Sequence, residues 1–316
     1  MQLIYWGDII LNITVFGAGA LGVYFGGRLS EAGHQVTFLV REKRANQIKE
    51  KGLKVHSVHG DVELNNYSIA RNTEEIQEVD LVLLSVKGYH LNGAIAQLKE
   101  LVQKGAKILP VLNGYEHIPV LQKELGEENV LGGLSFIIAT LDENGHVLQT
   151  SAQHKITFGP LVTAQIEFCQ KLAASFSHAS FETELSEDIK YALWNKYMFI
   201  TAFSALTTVV DLPIGKIRPL PNTLKLAEDM MNEMKQLANV YGIPLTEQDV
   251  QKAMDLIHSF PDEGTSSMHQ DKRKGLPLEL DHMQGGALRL AEAIQLRLPT
   301  IELIYNILKP YENGQV

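Results

Sequence analysis

The sequence predicts an α/β domain with a doubly wound, mostly parallel sheet, followed by an all-helical domain. Three observations carry this. Short apolar runs at 13–16, 80–87 ("DLVLLSVK") and 106–112 alternate with helical patterns in the first half, as in a parallel sheet with helices on both faces. A glycine-rich run, "GAGALG", separates the first strand from the first helix. After about residue 185 helical periods continue without a convincing strand. The expected domains are 12–184 and 185–316.

The elements follow in order. "ITVFGAG" is a strand and turn, and a helical pattern then runs through Leu29. "GHQVTFLVR" is a turn and second strand ending at Arg41, and "EKRANQIKEKG" is an amphipathic helix stopped by Gly52. Strand-like runs occupy 53–58 and 62–69. A helix closed by Gly105 leads into a strand ending at Asn113, and mixed helix and strand signals reach about residue 178. Ser186 is a plausible N-cap for the helical half, with Glu187 and Asp188 in the first turn.

Composition excludes several classes. Acidic residues outnumber basic ones, 37 to 28, for a net charge of −9, which argues against a general nucleic-acid binder. The only cysteine is Cys169, so no intrachain disulfide and no zinc-type cysteine cluster exist, and the reducing cytoplasm is expected. The apolar run Tyr197–Val210 contains Thr201, Ser204, Thr207 and Thr208. It is too short to span a membrane, which takes about 20 residues. The start "MQLIYWGDIILN" lacks the pattern of a signal peptide. It precedes the first strand without an obvious role, and we expect a biological start at Leu11.

"ITVFGAGALGVYFGGRLSEAGHQVTFLVR" has the parts of a dinucleotide fingerprint in order. Gly17 permits the tight turn, Gly19 lets backbone approach a pyrophosphate, and Gly22 lets helix pack on strand. Gly17, Ala18, Gly19, Ala20, Leu21 and Gly22 are therefore candidate cofactor residues, at a helix N-terminus suited to phosphate. Gly26 and Gly27 in the helix imply close packing or cofactor approach. The second strand ends on Arg41 rather than a carboxylate, with Lys43 and Arg44 behind. Cations there suit the 2′-phosphate of NADPH. At ~1.5–3 kcal/mol per charge-assisted hydrogen bond, one or two would give a marked preference. For Lys43 and Arg44 a solvated helix start is an equal alternative.

Ligands of open α/β sheets bind at the carboxyl ends of the strands. Lys87 in "LLSVKGYHL" and Asn113 in "PVLNGYEH" sit there, each followed by glycine. In the helical half, Lys196 falls on the stripe Ile189, Leu193, Lys196, Ile200, Ser204, Thr207. A lysine on an apolar stripe either snorkels to water or faces a bound substrate. Glu279, read from spacing, is a helix-start carboxylate after Pro277.

These residues together closely resemble one family. "GAGALG", Arg41, "VK" at 86–87, "LNG" at 112–114, "LWNK" at 193–196 and "SSMHQD…LELDHMQGGAL" at 266–288 resemble ketopantoate reductase (2-dehydropantoate 2-reductase). The likeness implies a Rossmann-type domain followed by a helical one. It implies NADPH-dependent reduction of 2-dehydropantoate to (R)-pantoate on the route to pantothenate and coenzyme A. Lys196 matches the catalytic lysine, Glu279 the acid that engages the substrate hydroxyl, and Ser267 a serine that contacts the substrate carboxylate. Lys87 and Asn113 match polar residues around nicotinamide and substrate. Ser204, on the lysine's helix face, joins the substrate set. Many members carry asparagine where this chain has Ile200 and Ser204, which leaves open a related 2-oxo acid as substrate. A non-enzymatic NADP(H) sensor is the rival from another class, and retention of Lys196, Asn113 and Glu279 opposes it. The expected partners are a small 2-oxo acid, with neither nucleic acid nor membrane. The apolar helix can pack within its own domain or across a homodimer.

Overall fold

A computed structural model gives the fold of residues 9–314, in two compact units. One comprises the chain up to Leu112 together with Ile118–Ile189, and the other Asn113–His117 together with the chain from Lys190 onward. Most of the segment ahead of the expected start at Leu11 lies outside the described residues. Inside them, Leu11 is buried and the Ser175 hydroxyl donates to the Ile9 carbonyl at 3.0 Å.

The first unit holds two sheets. β1 (Asn12–Phe16) and β2 (Gln35–Leu39) belong to a five-stranded parallel sheet. β3 (Leu53–Ser57) and β4 (Val62–Leu64) belong to the second sheet. β5 (Ser68–Ala70), β6 (Leu81–Leu84) and β7 (Lys107–Pro110) complete the first, in the order β5-β2-β1-β6-β7. Successive side chains of a strand point to opposite faces, and this sheet shows it. Ile13, Val15, Leu81, Leu83 and Leu109 enter one core with α1 (Ala20–Glu31) and α5 (Ile166–Phe176). Phe16, Val82, Leu84 and Ile108 enter the other with α3 (Leu91–Gln103) and the later turns of α4 (His117–Leu125). Helices thus cover both faces, as the apolar runs required. α2 (Glu42–Lys51) follows β2 and ends at Gly52, at φ 71°.

The second sheet is mixed; the strand-like runs at 53–58 and 62–69 contain its β3 and β4, but its long hairpin was not read from the sequence. β8 (Gly132–Leu141) and β9 (Val147–Gly159) form a long antiparallel hairpin. β10 (Glu182–Leu185) and β3 run parallel to β9 at its two ends. The turn "LDENGH" carries the signal that was missed. The Asp142 carboxylate accepts from the amides of Asn144 (2.9 Å) and His146 (2.8 Å), and Gly145 takes φ 82°. This is asparagine-and-aspartate turn chemistry with a glycine in the left-handed region. α1 lies between the two sheets, which accounts for its glycine pair. A Cβ on Gly26 would sit 2.7 Å from Val15 Cγ2, and one on Gly27 would sit 3.0 Å from Leu64 Cδ2. Close packing is the role of these two glycines.

The second unit is helical. α6 (Ile189–Val210) is its central element. α7 (Ile214–Ile217), α8 (Pro221–Val240), α9 (Glu247–Ser259), α10 (Ser267–Arg273), α11 (Gly286–Ala293) and α12 (Pro299–Leu308) complete it. Its core joins Met198, Ala202 and Leu206 of α6 with Met230 and Met234 of α8, Ile257 of α9 and Ile304 of α12. α6 is buried nearly all round, as expected of a helix with no polar face. Side chains fix the helix ends. Thr246 and Asp249 form a capping box at the start of α9, and the Glu233 carboxylate accepts from the first amides of α12 at 2.7 and 3.0 Å. No described helix is long and apolar enough to cross a membrane.

Candidate active site

The glycine loop has the geometry its spacing implied. Gly17 takes φ 105°, in the left-handed region that glycine tolerates. An added Cβ on Gly22 would collide with the Gly17 carbonyl and the Ser85 hydroxyl. Gly19 differs: nothing lies within 4 Å of its Cβ position. It caps α1 without any side-chain cap. Bare backbone with an open side at a helix N-terminus is what a pyrophosphate requires, so these residues fit a dinucleotide.

The cations behind the second strand divide. Arg41 is exposed and caps α2. Lys43 is exposed. Arg44 is half-buried and bonded. Its Nε donates to the Ala18 carbonyl at 3.0 Å, and its guanidinium donates to Gln47 and, at 2.8 Å, to the Gly145 carbonyl. Burial lowers its pKa, with Asp142 acting in the opposite sense. Arg44 therefore ties the glycine loop to the β8–β9 turn, which leaves Arg41 and Lys43 as the accessible charges. Lys87 is half-buried, three residues past β6, and caps the short turn Gly88–His90.

In the second unit, Lys196 retains 9% exposure on α6. Its ammonium does not snorkel to water. Burial pushes its pKa from 10.5 down to about 8, while the Glu279 carboxylate acts to raise it. Glu279 is itself 5% exposed. The two predicted catalytic residues are therefore brought together, and desolvation outweighs their attraction. Asn113 lies in the same unit. Its carbonyl accepts from His282 Nε2 at 2.8 Å, and Gly114 follows at φ 84°, where an added Cβ would sit 3.2 Å from the His282 carbonyl oxygen.

The other predicted substrate residues sit differently. Ser204 is buried and its hydroxyl oxygen accepts from Gln284 Nε2 at 3.0 Å. Ser267 is the exposed first residue of α10. Its neighbour Ser266 is the cap, accepting from the His269 amide at 3.1 Å and bonding Thr207 Oγ1 at 2.8 Å.

Two residues were missed by sequence reasoning. Gln284 is fully buried, and its amide also donates to the Thr201 carbonyl at 2.9 Å. It lies in a π-helical turn, Asp281–Gly285, a feature enriched at functional sites. His117 is buried, and desolvation, with the His282 and Lys196 charges adding to it, pushes its pKa well below the usual histidine range. Among the described residues no group of three or more histidine, cysteine or acidic side chains could hold a metal.

Comparison with known proteins gives the family. The model of the ketopantoate reductase family PanE/ApbA matches residues 13–163, and the model of its C-terminal domain matches residues 188–312. The chain belongs to the ketopantoate reductase family. It is an oxidoreductase of that family, with the Rossmann-type sheet and helical C-terminal region shared by its structural neighbours. The uncharacterized oxidoreductase YkpB of Bacillus subtilis (strain 168) is 34% identical over 302 residues, spanning 96% of this chain and 99% of its own. The crystal structure of 2-dehydropantoate 2-reductase from Geobacter metallireducens GS-15 superposes with a TM-score of 0.88 at 29% identity, covering 94% of this chain and 99% of that one. D-mandelate dehydrogenase, solved with NADH and anilino(oxo)acetate, gives a TM-score of 0.87 at 25% identity, covering 95% and 98%. Members of this fold group thus carry different substrates.

Proposed function

We propose that this protein reduces 2-dehydropantoate to (R)-pantoate with NADPH in the cytoplasm, supplying pantothenate and coenzyme A synthesis. The observation that carries the reading is Lys196, buried next to Glu279 and held at a pKa of about 8. Reduction of a ketone builds negative charge on the carbonyl oxygen, which an ammonium can both stabilise and protonate. At pH 7 such a lysine is protonated by about ten to one, yet gives up its proton more readily than an ordinary lysine. An anionic substrate also offsets part of the cost of burying that charge.

The remaining roles are those that the family resemblance implies. The backbone of Gly17–Gly22 holds the pyrophosphate, and Arg41 meets the 2′-phosphate. Lys87 and Asn113 orient nicotinamide and substrate. When bound, the nicotinamide supplies the hydride. Glu279 accepts a hydrogen bond from the substrate hydroxyl and keeps Lys196 charged. Ser267 meets the substrate carboxylate, and Ser204 gives its remaining hydroxyl hydrogen to the substrate wall.

One observation favours a second reading. Ile200, half-buried one turn beyond Lys196, cannot donate a hydrogen bond, which suits a related 2-oxo acid with a more apolar side chain. The likeness to D-mandelate dehydrogenase supports that variant equally.

The test is loss of NADPH absorbance with 2-dehydropantoate and a panel of branched and aromatic 2-oxo acids, with NADH and Lys196→Ala alongside. The variant should lose about 10²–10⁴-fold in kcat. Turnover of another 2-oxo acid in place of 2-dehydropantoate would select the second reading. NADPH binding without turnover of any oxo acid would refute both and favour a sensor.

A further inference from the structure

Arg44 joins three pieces of the first unit. Its Nε donates to the Ala18 carbonyl at 3.0 Å, its Nη1 to Gln47 Oε1 at 2.6 Å and its Nη2 to the Gly145 carbonyl at 2.8 Å. A guanidinium presents its donors in a rigid fork, so bonds to the glycine loop, to α2 and to the β8–β9 turn hold it in one place. The turn is shaped around it: a Cβ on Gly145 would collide with Arg44 Nη1 and crowd the Gln47 side chain. The bond to Ala18 matters for what lies across the peptide. The Ala18–Gly19 peptide is trans, and in a planar trans peptide the carbonyl and the following N–H point in opposite directions. Holding the Ala18 carbonyl on Arg44 therefore holds the Gly19 N–H away from the guanidinium. The Gly19 carbonyl is fixed as well, accepting from the Val23 amide at 2.9 Å. Gly19 itself has no side chain and nothing within 4 Å of its Cβ position, so its own packing does not keep the peptide from turning. A turned peptide would present the Ala18 carbonyl where the loop needs an N–H to meet an anion.

We propose that Arg44 is a positioning residue for the pyrophosphate: it keeps the Ala18–Gly19 peptide turned with its N–H toward the phosphates, and the β8–β9 turn keeps Arg44 in place. The proposal rests on the reading of Gly17–Gly22 as a dinucleotide loop. It divides the work between two arginines of one helix start. Arg41 serves the 2′-phosphate, which only NADPH carries. Arg44 serves the pyrophosphate, which NADPH and NADH share. Arg44 acts through the loop backbone and touches neither phosphate group.

The decisive measurement needs no oxo acid. Calorimetric titration compares the wild type, Arg44→Ala, Gly145→Ala and the double variant against NADPH, NADH and adenosine 2′-monophosphate, which has the 2′-phosphate and no pyrophosphate. Arg44→Ala should weaken both dinucleotides by the same factor, about tenfold or more for a lost charge-assisted bond, and leave adenosine 2′-monophosphate unchanged. Gly145→Ala retains the arginine but displaces it, and should give the same pattern. The double variant should be no weaker than Arg44→Ala, because both changes break one connection. Loss of NADPH and adenosine 2′-monophosphate with NADH unchanged would overturn the proposal and make Arg44 a ligand of the 2′-phosphate. Equal loss of all three ligands would overturn it too, as the mark of a merely structural arginine. Additive losses in the double variant would overturn the role given to the turn. A wild type that bound neither dinucleotide would refute the dinucleotide reading and this proposal with it, whereas a wild type that binds both, with unchanged NADH affinity in Arg44→Ala, would refute the positioning alone.

Discussion

A buried, charged lysine leaves a signature in stability that does not depend on knowing the substrate. Lys196 titrates near 8 in the folded chain against 10.5 when free. That displacement means about 3 kcal/mol of folding free energy is lost while the ammonium stays charged. The sign is set by proton counting. Between pH 8 and 10.5 the unfolded chain binds the proton and the folded chain has released it. Stability from this group therefore rises through that window. The perturbation is Lys196→Met, which keeps the length of the side chain and removes the titration. A direct comparison at pH 7 is ambiguous, because the variant also strands Glu279, and breaking one half of a buried pair has its own cost. The pH dependence of the difference between the two proteins is free of that ambiguity. Other tyrosines and lysines titrate in both proteins and cancel. Urea unfolding at pH 7 and at pH 10.5 should show the wild type gaining about 3 kcal/mol on Lys196→Met over the interval. With two units, unfolding need not be a single transition, and the gain belongs to the transition of the helical unit. A difference that does not change with pH would refute the burial argument and the proton-donor role built on it.

Further tests address the first unit and the reaction. Gly22→Ala forces a Cβ onto the Gly17 carbonyl and should abolish nicotinamide-dinucleotide binding, read by quenching of intrinsic fluorescence. Arg44→Ala removes bonds to the Ala18 and Gly145 carbonyls and should lower stability by about 1–3 kcal/mol in urea unfolding. Arg41→Ala should weaken NADPH by about tenfold or more while leaving NADH unchanged in titration. The kcat of the wild type should fall as pH rises through about 8, because Lys196 must carry its proton, and a flat profile to pH 9.5 would argue against a lysine acid.

The fold was legible where burial is two-sided. β1, β6 and β7 read as continuous apolar runs because both faces of that sheet are covered, and the glycine loop was legible because its backbone geometry admits few other residues. The β8–β9 hairpin was not legible. Gln149, Ser151, Gln153 and His154 break the apolar alternation, and the buried Gln149 is satisfied by bonds to Ser57 and Ser151 rather than by apolar neighbours. Lys196 could be nominated by its stripe, and Glu279 only by resemblance, because a carboxylate at a helix start is ordinary. His117 gave no signal, since nothing in "NGYEH" distinguishes a buried histidine from a surface one.

Gln284 shows how a buried polar residue hides from periodicity. It lies five residues after Glu279, and an α-helix turns about 100° per residue, which would point the two some 140° apart. The π turn Asp281–Gly285 widens the helix and changes that relation. Both side chains then meet α6: Glu279 acts on Lys196, and Gln284 donates to the Thr201 carbonyl and the Ser204 hydroxyl. Between them the Tyr197 hydroxyl donates to the Met283 carbonyl at 2.6 Å, so three consecutive turns of α6 are fastened to one short segment. This bears on specificity. With Ile200 in place of an amide, the polar groups on this part of α6 are Thr201 and Ser204, and Gln284 already engages the carbonyl of one and the hydroxyl of the other. In the proposed reading, the ammonium of Lys196, the carboxylate of Glu279 and the side chain of Ile200 are the groups of this wall that Gln284 does not engage. That combination selects the oxo and hydroxyl oxygens while leaving the tail of the acid to be chosen by shape, which is why the substrate panel, rather than the single family substrate, is the experiment that fits this site.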